Sequence, residues 1–128
     1  MTDMSKYYNG ASNRETWLLR DSYKFFSDET ITETLKNALD NRLEEIHELG
    51  GLGLWLADWM QKYHDNFIDE IVDQLQPCIP DDERGNYVHD MLIGVIELGN
   101  ARINWLEIVK NYSEQIAHAE WQHYLGKH

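Results

Sequence analysis

Apolar residues recur along the chain at intervals of three and four, and no stretch alternates like a strand for more than a few residues. This spacing predicts an all-α, compact single-domain bundle of five or six helices over residues 12–126, preceded by an irregular arm over residues 1–11. Asn9-Gly10 makes a turn in that arm, and Ser12 with Glu15 forms a capping box that opens the first helix. That helix is expected to run through Trp17, Leu18 and Leu19 to about Phe26. A second box, Thr30 with Glu33, opens a helix carrying Ile31, Leu35, Leu39, Leu43 and Ile46, and Gly50-Gly51 stops it. A third helix over residues 53–75 carries Trp55, Trp59, Met60, Tyr63, Phe67, Ile71 and Val72. Its apolar face drifts near His64-Asp65-Asn66, which predicts a kink there.

The Pro77-Cys78-Ile79-Pro80 turn separates this half from a fourth helix over residues 82–98, ended by Gly99-Asn100. The next start is the clearest local signal in the chain. Asn104 caps, Glu107 closes the box, and Ile103 with Ile108 forms a hydrophobic staple across it. Ser113 interrupts before a last segment through Ile116, Ala117, Trp121, Tyr124 and Leu125, which ends at Gly126.

Composition supports a packed core. In 128 residues the chain holds five Trp and seven Tyr, and 42 % of its residues are hydrophobic. Cys78 is the only cysteine, so neither an internal disulfide nor a paired zinc cluster is available. The first residues lack the basic-then-apolar pattern of a signal peptide, and no apolar run reaches the length of a spanning helix. The expectation is a cytoplasmic protein with no membrane association.

Charge changes the picture more. Lys and Arg total 11 and Asp and Glu total 23, giving −12. Residues 28–90 hold 16 acids and 4 bases, a difference that already accounts for the whole −12, while 7 acids and 7 bases cancel in the rest. Such a field repels nucleic acid and anionic membranes and attracts basic surfaces.

The stretch Asn9-Gly10-Ala11-Ser12-Asn13-Arg14-Glu15-Thr16-Trp17 reads physically as a turn, a cap and an aromatic anchor for the first helix. It also resembles the N-G-x-[S/T]-N-x-E-T-W pattern that begins a family of small proteins carried by bacteriophages and plasmids, with Ala11 where that family usually has a bulky aromatic. Ile103-Asn104-Trp105-Leu106-Glu107-Ile108 is similar to the family's second hallmark, an I/V-N/D-W-x-E-I run before a closing helix. The resemblance implies a phage or mobile-element origin and no particular chemistry.

Enzyme-like readings fare poorly. Glu44 with His47 and Glu120 with His123 have the E-x-x-H spacing of di-iron bundles. In the second helix, though, Glu44 lies near 140° and His47 near 80° from the core stripe at ~100° per residue. Cys78 sits in a negative field with no base positioned by spacing. Gly50-Gly51-Leu52-Gly53 has no preceding strand and no Lys, so it is a turn rather than a phosphate cradle. The bases form no stripe interleaved with aromatics, although Arg14, Arg20 and Lys24 share one side of the first helix. No cofactor and no direct nucleic-acid contact is expected.

The acidic surface remains. Asp58, Asp65, Asp69 and Asp73 fall within an arc of ~80° on the third helix. The second helix adds Asp40, Glu44, Glu45 and Glu48, and the connector after Pro80 adds Asp81, Asp82 and Glu83. Trp55 borders the aspartate arc and is the aromatic expected at its contact surface. The expectation is a non-enzymatic acidic binding protein of a phage or mobile element. It inhibits a host nucleic-acid-directed defence system, CRISPR or restriction type, by occupying a basic groove as a nucleic-acid mimic. One stripe is too sparse for this, because carboxylates one turn apart stand ~6 Å apart while a DNA strand offers a phosphate every ~3.4 Å. Several stripes must converge. The alternative is a small accessory helical protein that binds a partner through an apolar patch, with acidity serving solubility.

Overall fold

Short polar side chains decide where the helices begin. In the computed structural model, which describes residues 11–126, Asn13, Ser27, Asp82 and Asn104 each accept a backbone N–H two or three residues on and start a helix. Seven α-helices and no strand form an all-α fold among the described residues. They are α1 (Arg14–Trp17), α2 (Asp28–Asn41), α3 (Leu43–Leu49), α4 (Leu52–Leu75), α5 (Glu83–Arg102), α6 (Trp105–Lys110) and α7 (Ser113–Gly126). A π-helical turn, Leu18–Ser22, extends α1, and a 3-10 turn, Gln76–Cys78, follows α4. The expected irregular arm, with its Asn9-Gly10 turn, lies outside the described residues apart from Ala11, which is fully buried.

The seventh helix comes from a break that the periodicity did not show. Residues 28–49 would suit one helix, but Arg42 adopts φ −131° and ψ 28° and divides it. The two pieces need different partners. α2 packs against α7, and α3 packs against α4. Past the break, α3 ends where the glycine pair was expected to stop it. Gly50, at φ 96°, donates to the His47 carbonyl, and Gly51 donates to the Ile46 carbonyl. This double closure needs a left-handed residue, which glycine supplies without a Cβ penalty.

Other boundaries moved for similar local reasons. Asn13 rather than Ser12 caps α1, and Ser27 rather than Thr30 caps α2, donating its own hydroxyl to Thr30. The first helical segment stops at Ser22 instead of reaching Phe26. α5 runs through Gly99-Asn100 to Arg102, and α4 is unbroken across His64-Asp65-Asn66. The apolar face drifts there because His64 is itself a core residue, packed edge-on to Trp105 and Phe25.

The core is built from Ile31, Leu35 and Leu39 of α2, Ile46 of α3, Trp55, Leu56 and Met60 of α4, and Trp105, Ile108 and Val109 of α6. Phe26 plugs its end against Trp59, Tyr63 and Trp105. The Tyr112 hydroxyl donates to the Phe26 carbonyl at 2.7 Å in a buried bond that ties the α6–α7 corner to the loop before α2. Burial, followed by the nearby Asp28 carboxylate, pushes the Tyr112 phenol above its ordinary pKa.

The last segment departs from expectation. Ala117, Trp121, Tyr124 and Leu125 face solvent, because α7 lies on the bundle along one side only. Ile116 and Ala119 make its contact with the core, and Trp121 stacks on Tyr124 instead.

Candidate functional site

The two motifs that stand far apart in sequence meet in space. Ser12 donates from its N–H to Glu107 Oε1 at 2.9 Å and from its hydroxyl to Glu107 Oε2 at 2.7 Å. Asn13 donates to the Arg102 carbonyl, and the Asn104 N–H donates to Thr16 Oγ1 at 2.9 Å. The expected capping box at Asn104 is therefore only half local. Asn104 accepts from the Glu107 N–H at 3.1 Å, as a cap should. The return bond, which Glu107 would make to the Asn104 N–H, is made by buried Thr16 instead, and the freed Glu107 carboxylate holds Ser12.

Charged side chains close the same junction. Arg20, only 11 % exposed along its side chain, pairs with Asp21 at 2.7 Å and approaches Glu107 at 3.8 Å. Its hydrogen bond to Asp21 raises the guanidinium pKa, with Glu107 contributing. Glu15 faces Arg102 of α5 at 3.5 Å rather than its own helix start. Arg20, which was expected to share one side of the first helix with Arg14 and Lys24, thus belongs to a structural network. The junction borders a shallow cleft of about 560 Å³ lined by Ser12, Asn13, Asp58, Gln61, Arg102 and Leu106 among others. Ser12, Asn13 and Asn104 in its lining are engaged in hydrogen bonds across the junction, and Asp58 bonds to Lys62.

The acidic residues occupy several settings. Asp40 is exposed at a groove of about 620 Å³ between α2 and α7, together with Lys36, Glu114, His118 and His123. The break at Arg42 takes it off the helix it was expected to share with Glu44, Glu45 and Glu48. Those three lie on α3, with Glu44 and Glu48 exposed and Glu45 half-buried. Glu45 is joined to α4 electrostatically. The Lys62 ammonium bonds to Asp58 at 2.8 Å, and its pKa is raised first by that bond and further by Glu45. Lys62 is thus the cation that Asp58 of α4 bonds and that Glu45 of α3 also influences.

Further along α4, Asp65 lies 3.3 Å from His64 Nδ1, while Asp69 and Asp73 are exposed. Asp81, Asp82 and Glu83 are exposed beyond the end of α4, and Asp82 spends one oxygen capping α5 through the Gly85 N–H at 2.8 Å. Gly85 has no room for a Cβ, which would strike the Pro80 carbonyl, so the connector and its three acids are held in one tight turn. Among the described residues no ion pair engages Asp40, Glu44, Glu45, Glu48, Asp69, Asp73, Asp81, Asp82 or Glu83.

Trp55 does not belong to this surface. It is a core residue, 7 % exposed, whose edge reaches only a small groove shared with Trp59, Arg42 and Glu33. Helical spacing placed it beside the aspartates, but the same spacing also points it at α2, and packing wins.

Several other candidates resolve by position. Glu44, His47 and Glu120 are exposed, and no three His, Cys, Asp or Glu side chains among the described residues are grouped to hold a metal ion. Cys78 is exposed in the 3-10 turn. No described helix is long and apolar enough to cross a membrane.

One further surface was not among the expected sites. Val88, Met91, Val95 and Leu98 of α5 form an exposed apolar row. Their spacing of three, four and three residues was legible. Comparisons with protein-family models, curated proteins and solved structures find no match to this chain.

Proposed function

We propose that the chain is a non-enzymatic acidic binding protein of a phage or mobile element. It blocks a host nucleic-acid-directed defence system, of CRISPR or restriction type, by occupying a basic groove with carboxylates in place of phosphates. The observation that carries this reading is the run of acids from α3 along α4 to the 81–83 turn, in which Asp58 meets Lys62 and Asp65 meets His64 while Asp69, Asp73 and the three acids of the turn have no ion-pair partner among the described residues. On α4, which has 24 residues, the acids from Asp58 to Asp73 span roughly 22 Å, about two thirds of the roughly 34–36 Å of one B-DNA turn. Glu45 and Asp58 begin the run, Asp65, Asp69 and Asp73 continue it, and the rigid connector extends it past the helix end. Contributions from two helices and a turn answer the sparseness of a single stripe. The resemblance of the two motifs to phage and plasmid proteins supports the origin.

The partner is a basic protein surface on a host nucleic-acid-binding enzyme or complex, reached by electrostatic steering. The test is capture of that partner from a bacterial host, followed by binding measured against salt. Affinity is expected to fall steeply from low to physiological ionic strength and to collapse on combined reversal of Asp65, Asp69 and Asp73 to Lys. A complex indifferent to both changes overturns the reading. It would favour the second one, an accessory helical protein that engages its partner through apolar surface, for which the exposed row on α5 is the specific support.

A further inference from the structure

α5 is apolar on two sides. Its inner side, with Leu92, Ile93 and Ile96, is half-buried toward the bundle, and its closest helix contact is where its C-terminal end meets α1. Its outer side carries Val88, Met91, Val95 and Leu98, exposed by 52, 52, 62 and 70 %, with Tyr87 beside them at 66 %. Only one of these two apolar sides meets the bundle, and the other has solvent where a second layer would sit.

We infer that the missing layer is α5 of a second copy of this chain, paired antiparallel about a two-fold axis. Three features of the row select that occupant. Positions 88, 91, 95 and 98 follow the alternating three–four spacing of a coiled-coil seam, which is met by an identical seam. In an antiparallel pair centred between Met91 and Val95, Val88 faces Leu98 and Met91 faces Val95. Large residues then meet smaller ones in each layer, and the patch is complementary to itself, as an isologous contact requires. The area is also sufficient. The five exposed side chains offer on the order of 500 Å² per copy, so self-pairing buries about 1,000 Å² in all, the size at which an interface becomes specific.

Charge points the same way. A chain at −12 resists its own copy almost everywhere, yet from Val88 to Leu98 the seam carries no charge, and the charged groups that continue its spacing at either end are the cations Arg84 and Arg102. The acids of this stretch, Asp90 and Glu97, sit one position before Met91 and Leu98 and so point away from the seam. A basic partner of the acidic run would find nothing to pair with here. The dimer therefore stands independently of the function proposed above, and it would present two acidic runs related by the two-fold axis.

The experiment is sedimentation equilibrium of the purified 128-residue chain, with no partner added, at low and high salt. A dimer of twice the chain mass is expected, and it should tighten as salt rises, because screening relieves repulsion between the two copies. This sign is opposite to that expected for the acidic run and its partner, so failure of one is not confused with failure of the other. Val95→Glu should weaken the dimer at least about a hundredfold by placing two carboxylates in the seam, with the helical circular dichroism unchanged because Val95 touches solvent in the single chain. On a Cys78→Ser background, a Met91→Cys chain mixed with a Val95→Cys chain should cross-link to each other more readily than either does to itself. A monomer at micromolar concentrations and high salt overturns the inference. So does a dimer that Val95→Glu leaves intact, or cross-linking that favours like pairs.

Discussion

Two regions of this molecule use the same secondary structure for opposite ends. Around Ser12–Arg20 and Arg102–Tyr112, every charged group that turns inward has a named partner, and the backbone groups freed at two helix starts are satisfied by each other's side chains. Along the C-terminal half of α4 and the outside of α5, carboxylates stand uncompensated and large apolar side chains face water. The contrast shows that helical patterning does not assign a residue to fold or function. What separates the regions is whether residues distant in sequence come back to meet the side chain.

The strongest way to break this contrast is through the core beneath the junction. Leu56 is fully buried, and Leu56→Ala is expected to cost ~2–5 kcal/mol. Urea unfolding should show it, while Leu98→Ala on the outer row should leave the unfolding of the single chain within ~0.5 kcal/mol of wild type. Equal effects would erase the distinction. Next in size is the junction itself. Thr16→Val removes the acceptor for the Asn104 N–H and should cost about 1–3 kcal/mol, and Glu107→Gln should cost less because one Ser12 bond survives. A double-mutant cycle between Ser12 and Glu107 should give clear coupling although the two are 95 residues apart.

A third test uses pH. The Tyr112 phenol is raised in the folded chain by burial and then by Asp28. Its contribution to stability is constant below the ordinary tyrosine value near ~10. It is lost as pH climbs from there toward the raised native value. Tyr112→Phe should lose the buried bond to Phe26 at neutral pH and also flatten the alkaline part of the stability profile. The smallest effect belongs to the acidic arm. Asp69→Asn with Asp73→Asn relieves a like-charge pair one turn apart, so the melting temperature should stay level or rise slightly. A marked fall would mean that those carboxylates hold the fold.

Much of the fold was legible in the sequence because its signals are local. The Asn104 cap, the Ser113 interruption, the Gly50-Gly51 stop and the core positions Ile31, Leu35 and Met60 all follow from spacing and capping chemistry within a few residues. Tertiary competition moved the rest. Ser12 looked like a cap but is claimed by Glu107, and Glu15 looked like its partner but faces Arg102. Arg42 carries no breaker signal, because the break serves two packing partners rather than a local preference. His64 disguised a core position as a drift in the apolar face. Of the candidate site, the chemistry and much of the helix placement could be read in advance. Which stripes meet could not, since that depends on how α3 lies against α4.

The tie between Ser12 and Glu107 also sets an order in time. Closing a loop of this length costs chain entropy before the junction returns anything, and Glu107 is synthesised 95 residues after Ser12. α2, α3 and α4 can collapse on one another while α1, begun first, waits with its cap partners still unmade. Refolding should therefore show late protection of the Ser12 and Asn104 amides, and low φ-values at Thr16 and Glu107. The side of the junction that is made first would wait longest for its native contacts.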